Sequence, residues 1–223
     1  FRTDRKKSTA EAMLNNYHGI VQTDGYVAYG DGDYINAGCW SHCRRKFWDS
    51  IPPKNKKCKA AVAVRLIDKA MELERVAREE NYDDERLMKM RREKVKPIIE
   101  EFYELVNSLS PSKGSHLYGA VTYALNQKKE LLVFLEHPEV EMTNNLAERT
   151  VKPFVIDRKN FLFSDTEKGA EASAAAMTII ETAKRNGLDV YGYLLYLLTA
   201  LPALGKNPSE ESLIPLLPWS DSL

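Results

Sequence analysis

A chain of 223 residues, 43% hydrophobic and 29% charged, is long enough for one large domain or a domain with an insertion, and too apolar for wholesale disorder. Its 32 basic and 32 acidic residues cancel, which excludes a global field drawing it to nucleic acid or membrane; any polyanion site must be local. The longest apolar runs, such as 193–204, are broken by polar residues or proline and are too short to span a bilayer.

Residues 8–17 open with Ser8 and carry Glu11 three positions on, a capping-box pattern that predicts a short helix. "GIVQTD" at 19–24 predicts a brief buried strand ending at Asp24, with Gly25 allowing a sharp exit. "YINAGCW" at 34–40 is a second strand, and "SHCRRKFWDS" at 41–50 a helix that stops before Pro52 and Pro53. Strand, turn, strand, helix is an α/β signature. From 57 to 137 the pattern is helical throughout: one long helix over 57–80, a second over 83–110 that Pro97 bends or divides, and a third over 116–136.

Thr143, Asn144 and Asn145 predict a cap for a helix over 146–152 that Pro153 ends. "FVIDRKNFLFS" at 154–164 reads as an extended or hairpin segment anchored by Val155, Phe161 and Phe163. A small-residue helix then ends at Asn186-Gly187, and a final helix over 189–202 stops at Pro202, leaving a loosely attached tail after Pro208.

Cys39, Cys43 and Cys58 are an odd number without disulfide spacing, for which a reducing cytoplasm is the expected home. Cys39, His42 and Cys43 could form half a zinc site, but no second pair completes four ligands. Packing beside Trp40 accounts for both cysteines, and capping or packing accounts for His42, Tyr26 and Tyr29.

Asp24, at the carboxyl end of a strand, lies where open α/β sheets place ligand-binding groups. Taken singly it is a turn residue, and Glu148 is a solvated helix carboxylate opposite Lys152. Brought together, the two could share a hard divalent ion of the kind that drives phosphodiester chemistry. Arg149, Lys152, Arg158 and Lys159 flank Glu148, with Asn144, Asn145 and Asn160 as neutral hydrogen-bonding groups suited to phosphate or sugar. A second cluster, Arg44, Arg45 and Lys46 among Trp40, Phe47 and Trp48, suits nucleic acid or, equally, a helix with a core face and a solvated face.

The blocks "VQTDGYVAY", "GCWSHCRRKFWD", "NNLAERTVKPFVIDRKNFLFS" and "GAEASAAAMTIIETAKRNGLDVYGYLLYLL" resemble, in order and spacing, transposases of the insertion sequence 66 family. The resemblance runs through nearly all of 1–203. It implies an α/β, helix-dominated chain built on a partial ribonuclease H-like core with a large all-helical insertion. The core's two parts would be 1–52 and 141–203, the insertion 53–140 and a tail 204–223. It implies DNA cleavage and strand transfer with Mg²⁺ or Mn²⁺, Asp24 as the second catalytic Asp and Glu148 as the catalytic Glu. DNA, both transposon ends and target, would be the partner, contacted by Arg44, Arg45, Asn144, Asn145, Arg149, Lys152, Arg158, Lys159 and Asn160. Self-association is expected, and a membrane is not.

The family's first catalytic Asp lies upstream of the segment resembling 1–14, and Asp4, in a polar run, does not replace it. The chain alone is therefore expected to be catalytically incomplete, with its first strand exposing an edge that pairs with another chain, is covered by a segment or is locally disordered. The rival reading is a non-catalytic transposase remnant whose helical block serves binding or oligomerisation.

Overall fold

A computed structural model describes residues 6–29, 32–161 and 164–220. Its fold is helix-dominated, and it divides into two compact units, one running to Leu146 and the other from Ala147 onward.

In the first unit, α1 (Lys7–Met13) leads into β1 (Ile20–Thr23), a single 3₁₀ turn at Val27–Tyr29, and β2 (Ile35–Gly38). The strands run parallel, from Ile20 opposite Ile35 to Thr23 opposite Gly38. Among the described residues β2 is the only strand partner of β1. The Ser8 cap is not formed: α1 begins at Lys7, which puts Ser8 inside the first turn, and no side chain caps the helix.

The strands do not form a core of their own. α2 (Trp40–Trp48) follows β2 directly and buries Trp40, Cys43 and Phe47 against α3 (Lys59–Glu79), α5 (Lys96–Asn107) and α6 (His116–Asn126). Trp40 is the hub. Its ring stands edge-on to Phe102, Tyr103 and Phe134 at centroid distances of 5.3, 6.2 and 6.5 Å, arrangements that favour the aromatic quadrupole. Its indole N–H donates to the carbonyl of Leu131 at 2.7 Å, so the one polar atom of the ring is satisfied in the interior.

The third predicted helix is interrupted. α6 ends at Asn126, Gln127 leaves helical geometry, and α7 (Lys128–Leu132) runs into a 3₁₀ turn at Val133–Leu135. Cys39 and Cys43 are fully buried, as the packing reading has it, and burial pushes the Cys43 thiol far up.

Pro97 does not divide its helix. α4 (Asp84–Met90), capped by the Asp83 carboxylate on the Arg86 N–H, passes through a π-helical turn at Arg91–Val95 into α5, where Pro97 occupies the first turn. The widened turn carries Arg91 inward, where it is 2% exposed. All five of its N–H donors find acceptors: Nε and one terminal nitrogen grip Glu74 at 2.9 and 2.8 Å, and the rest reach the carbonyls of Phe134, His137 and Val140. A buried guanidinium is tolerable only with such complete pairing.

In the second unit, α8 (Asn145–Phe161) contradicts the extended segment expected after Pro153, because the helix continues through the proline. Pro153 forfeits the bond to the carbonyl of Arg149 and crowds that carbonyl with its ring, yet the helix continues for seventeen residues in all. Val155, an expected anchor, is exposed, while Phe163 and the side chain of Phe161 lie outside the described set.

α9 (Glu167–Arg185) is capped by Thr166 and ends as predicted, with Gly187 at φ +74 and the Leu188 N–H returning to the Ala183 carbonyl. α10 (Val190–Ala203) runs through Pro202 and stops before Gly205, whose φ is +82. The tail is attached, not loose: α11 (Glu210–Leu213) and a 3₁₀ turn at Ile214–Leu216 fold back, and Tyr193 donates to the Leu216 carbonyl at 2.7 Å within a small core of Ala183, Tyr193, Leu197 and Leu216. Among the described residues no helix is long and apolar enough to cross a membrane.

Replacing Arg91 with Leu strands the Glu74 charge and three carbonyls. Urea unfolding followed by circular dichroism is expected to show a loss of about 3–5 kcal/mol, partly recovered when Glu74 is also made Leu. In the native protein iodoacetamide is expected to label Cys58, the half-buried thiol, well ahead of Cys39 and Cys43; equal labelling before unfolding would contradict the buried environment.

Candidate active site

Asp24 leaves β1 at the carboxyl end of the two-stranded sheet, level with Cys39 after β2. Its carboxylate Oδ1 accepts the N–H of Tyr26 at 3.0 Å, a local turn that fixes the side chain's direction. Ahead of it, Thr23, 7% exposed, donates through Oγ1 to Asn36 Oδ1 at 3.1 Å and accepts the Gly25 N–H at 3.3 Å. Gly25 adopts φ +84, as the sharp exit requires.

The helices close over this strand end. Tyr123 of α6 donates its hydroxyl to the Asp24 carbonyl at 2.9 Å, and Lys46 of α2 lies 4.9 Å from the centroid of the Tyr123 ring. A methyl group on Gly25 would meet Gln127 Oε1 at 2.7 Å and the Tyr123 ring at 3.4 Å. Burial first, then the neighbouring Cys43, Cys39 and Asp24, pushes the Tyr123 hydroxyl far up, so it remains a donor across the physiological range.

At the same end of the sheet the Asn144 N–H rests 3.5 Å from Cys39 Sγ, and the Glu130 backbone lies against Gly38. Asn144 Oδ1 and Glu130 Oε2 are buried atoms with no hydrogen-bond partner. Asn144 therefore stands where a helix cap was expected, immediately before α8, without its amide oxygen making a capping bond. The segment leading to it is held by its backbone: Gln22 donates to the Glu141 carbonyl at 2.7 Å and the Trp40 N–H to the Met142 carbonyl at 3.1 Å.

Of the remaining sequence candidates, Arg44 is engaged by Asp68 through two donors and lies 5.4 Å from the Trp48 ring centroid. Its charge is held in that pair, which raises its already high pKa. Arg45 and Lys46 are exposed on the same helix.

In the second unit, Glu148 occupies the first turn of α8, where a carboxylate meets the positive end of the helix dipole. Asn145, Glu148, Arg149 and Lys152 are exposed. Arg158, Lys159 and Asn160 continue the helical backbone, with side chains outside the described set. The structure thus gathers Asp24, Tyr123, Gln127, Glu130 and Asn144 at the carboxyl end of the sheet.

Carboxylate and amide oxygens are the donors a hard divalent ion prefers, so the chemistry at this strand end fits Mg²⁺ or Mn²⁺. Among the described residues no three His, Cys, Asp or Glu side chains converge, so a complete ligand set is not assembled there. Sequence reasoning missed Tyr123, Gln127 and Glu130, because each sits in an ordinary helical pattern and only the fold brings it to the strand end.

The family described as "Transposase IS66 family" matches residues 1–172, and "IS66 C-terminal element" matches 178–219. Uncharacterized protein y4qI of Sinorhizobium fredii is 32% identical over 99% of this chain and 42% of its own length. Uncharacterized protein y4jD of the same organism is 28% identical over 99% of this chain and 44% of its own. The chain thus spans less than half the length of these curated relatives. No solved structure matches. Matches that together take in almost the whole chain, in the order the sequence blocks predict, place it in the IS66 transposase family.

Proposed function

We propose that this chain is the catalytic part of a DNA transposase that cuts and rejoins phosphodiesters on a ribonuclease H-like core, acting in the cytoplasm on transposon-end and target DNA. The observation that carries the reading is Asp24 itself: a carboxylate at the carboxyl end of a parallel strand, its direction fixed by the Tyr26 N–H. In this reading Asp24 and Glu148 would hold the divalent ion, and residues 1–52 and 141–203 would contribute the two parts of the core. A divalent ion bound there supplies activation of the attacking oxygen and stabilisation of the leaving one.

The family's first catalytic Asp is not among these residues, so this chain itself supplies part of the site. Asp24 presents an oriented oxygen, and Glu148 adds charge from the first turn of α8. The exposed cations Arg45, Arg149 and Lys152, with Arg158 and Lys159, neutralise DNA phosphates, and Asn144, Asn145 and Asn160 bond to sugar or phosphate. Because the whole chain is neutral, this binding is local and should weaken steeply with salt. Self-association would bring two transposon ends together.

With the chain carried in a protein of the relatives' full length, Asp24→Asn and Glu148→Gln are each expected to reduce Mg²⁺-dependent cleavage of terminal DNA to background while leaving DNA binding in place. Cleavage at the unaltered rate by either variant would refute the assignment. Arg45→Ala is expected to lower the salt slope of DNA binding by about one phosphate contact and change stability by less than about 0.5 kcal/mol. Arg44→Ala is expected to do the opposite, costing about 1 kcal/mol through its half-exposed pair with Asp68 and leaving the salt slope unchanged.

A further inference from the structure

We propose that Tyr123, on the helical block and ninety-nine positions from Asp24 in sequence, is the positioning residue that sets Asp24 for a divalent ion. This rests on the reading of Asp24 as a metal-binding carboxylate and assigns the helical block a part in that site.

The Asp24–Gly25 turn is held from three directions. Tyr26 fixes the carboxylate at 3.0 Å, Thr23 Oγ1 takes the Gly25 N–H at 3.3 Å, and the Tyr123 hydroxyl takes the Asp24 carbonyl at 2.9 Å. The first two contacts are local and travel with the strand. Only the third comes from outside, and it fixes where the turn sits against the rest of the first unit.

The surroundings show a close-fitted seat. Gly25 sits at φ +84, and a methyl group on it would press on the Gln127 side-chain amide at 2.7 Å and touch the Tyr123 ring at 3.4 Å. Lys46 holds the face of the same ring, and Trp40 ties α7 to α2 through the Leu131 carbonyl. A carboxylate on a short strand with one strand partner among the described residues would otherwise be free to shift by more than metal coordination tolerates. Outer contacts of this kind orient metal ligands, and losing one lowers metal affinity.

Tyr103 supplies the control. It lies in the same unit, is more deeply buried, and donates its hydroxyl to the Ala124 carbonyl at 3.3 Å, with no bond to Asp24. Mn²⁺ binding to this chain carried in a protein of the relatives' full length, read from the electron paramagnetic resonance signal of free Mn²⁺, is compared for the unaltered protein and for Tyr123→Phe, Tyr103→Phe and Asp24→Asn, with thermal unfolding measured on each.

The expected result is that Asp24→Asn removes the site, Tyr123→Phe weakens it about tenfold, and Tyr103→Phe leaves it unchanged at a comparable cost in stability. Unaltered affinity in Tyr123→Phe alongside loss in Asp24→Asn would overturn the positioning role and keep the metal reading. Equal weakening by both Tyr variants would overturn it in favour of a general packing effect. Full binding by Asp24→Asn, or no binding by the unaltered full-length protein up to about 10 mM Mn²⁺, beyond the weak end of oxygen-ligand sites, would overturn the metal reading and this inference with it.

Discussion

The five hydrogen bonds of Arg91 are the constraint around which the first unit is arranged. A guanidinium that is 2% exposed must meet every donor with an acceptor, and it does so with one carboxylate and three backbone carbonyls. Glu74 lies on α3, Arg91 on the π turn before α5, and the carbonyls on the segment that follows α7. One side chain thus sets the spacing of three stretches far apart in sequence. The π turn makes this possible, since an extra residue in the helical ring changes which side chains face inward without breaking the rod.

Around that anchor, strands and helices pack as one body. Trp40 follows β2 at once and is enclosed by aromatic side chains from α5 and by the stretch after α7, while its N–H takes a carbonyl from α7. Four-residue strands bury too little surface to stand by themselves. Here the sheet's stability is borrowed from the helices. The polar side chains at its carboxyl end are consequently placed by helix packing as much as by strand pairing.

Much of this was readable in the residues. Both strands, the all-helical stretch after them and the Gly187 stop follow from local rules of periodicity and left-handed glycine. The proline reading failed at Pro153, where the helix runs on to Phe161, whereas at Pro202 the helix ends one residue later, at Ala203. The Ser8 cap failed because the helix starts at Lys7, two residues before the start a Ser8 cap would set. Arg91 and Tyr123 were illegible for a different reason. Each is a common residue in a helical pattern, and what distinguishes it is a partner 17 to 99 positions away. Asp24, by contrast, was legible, because a strand ending in Asp-Gly announces both its place and its turn.

The stretch from Phe134 to Asn144 is held chiefly by its main chain. Arg91 takes the carbonyls of 134, 137 and 140, Gln22 that of 141, and the Trp40 N–H that of 142, while the Asn144 N–H meets a cysteine sulfur. Val140 and Met142 alone among its later residues are buried side chains. Such a strap is indifferent to what most of its residues are and strict about how many there are. It is expected to tolerate substitution at exposed Glu136 and Glu139 better than a change of length, since a single inserted or deleted codon would slip every carbonyl past its donor.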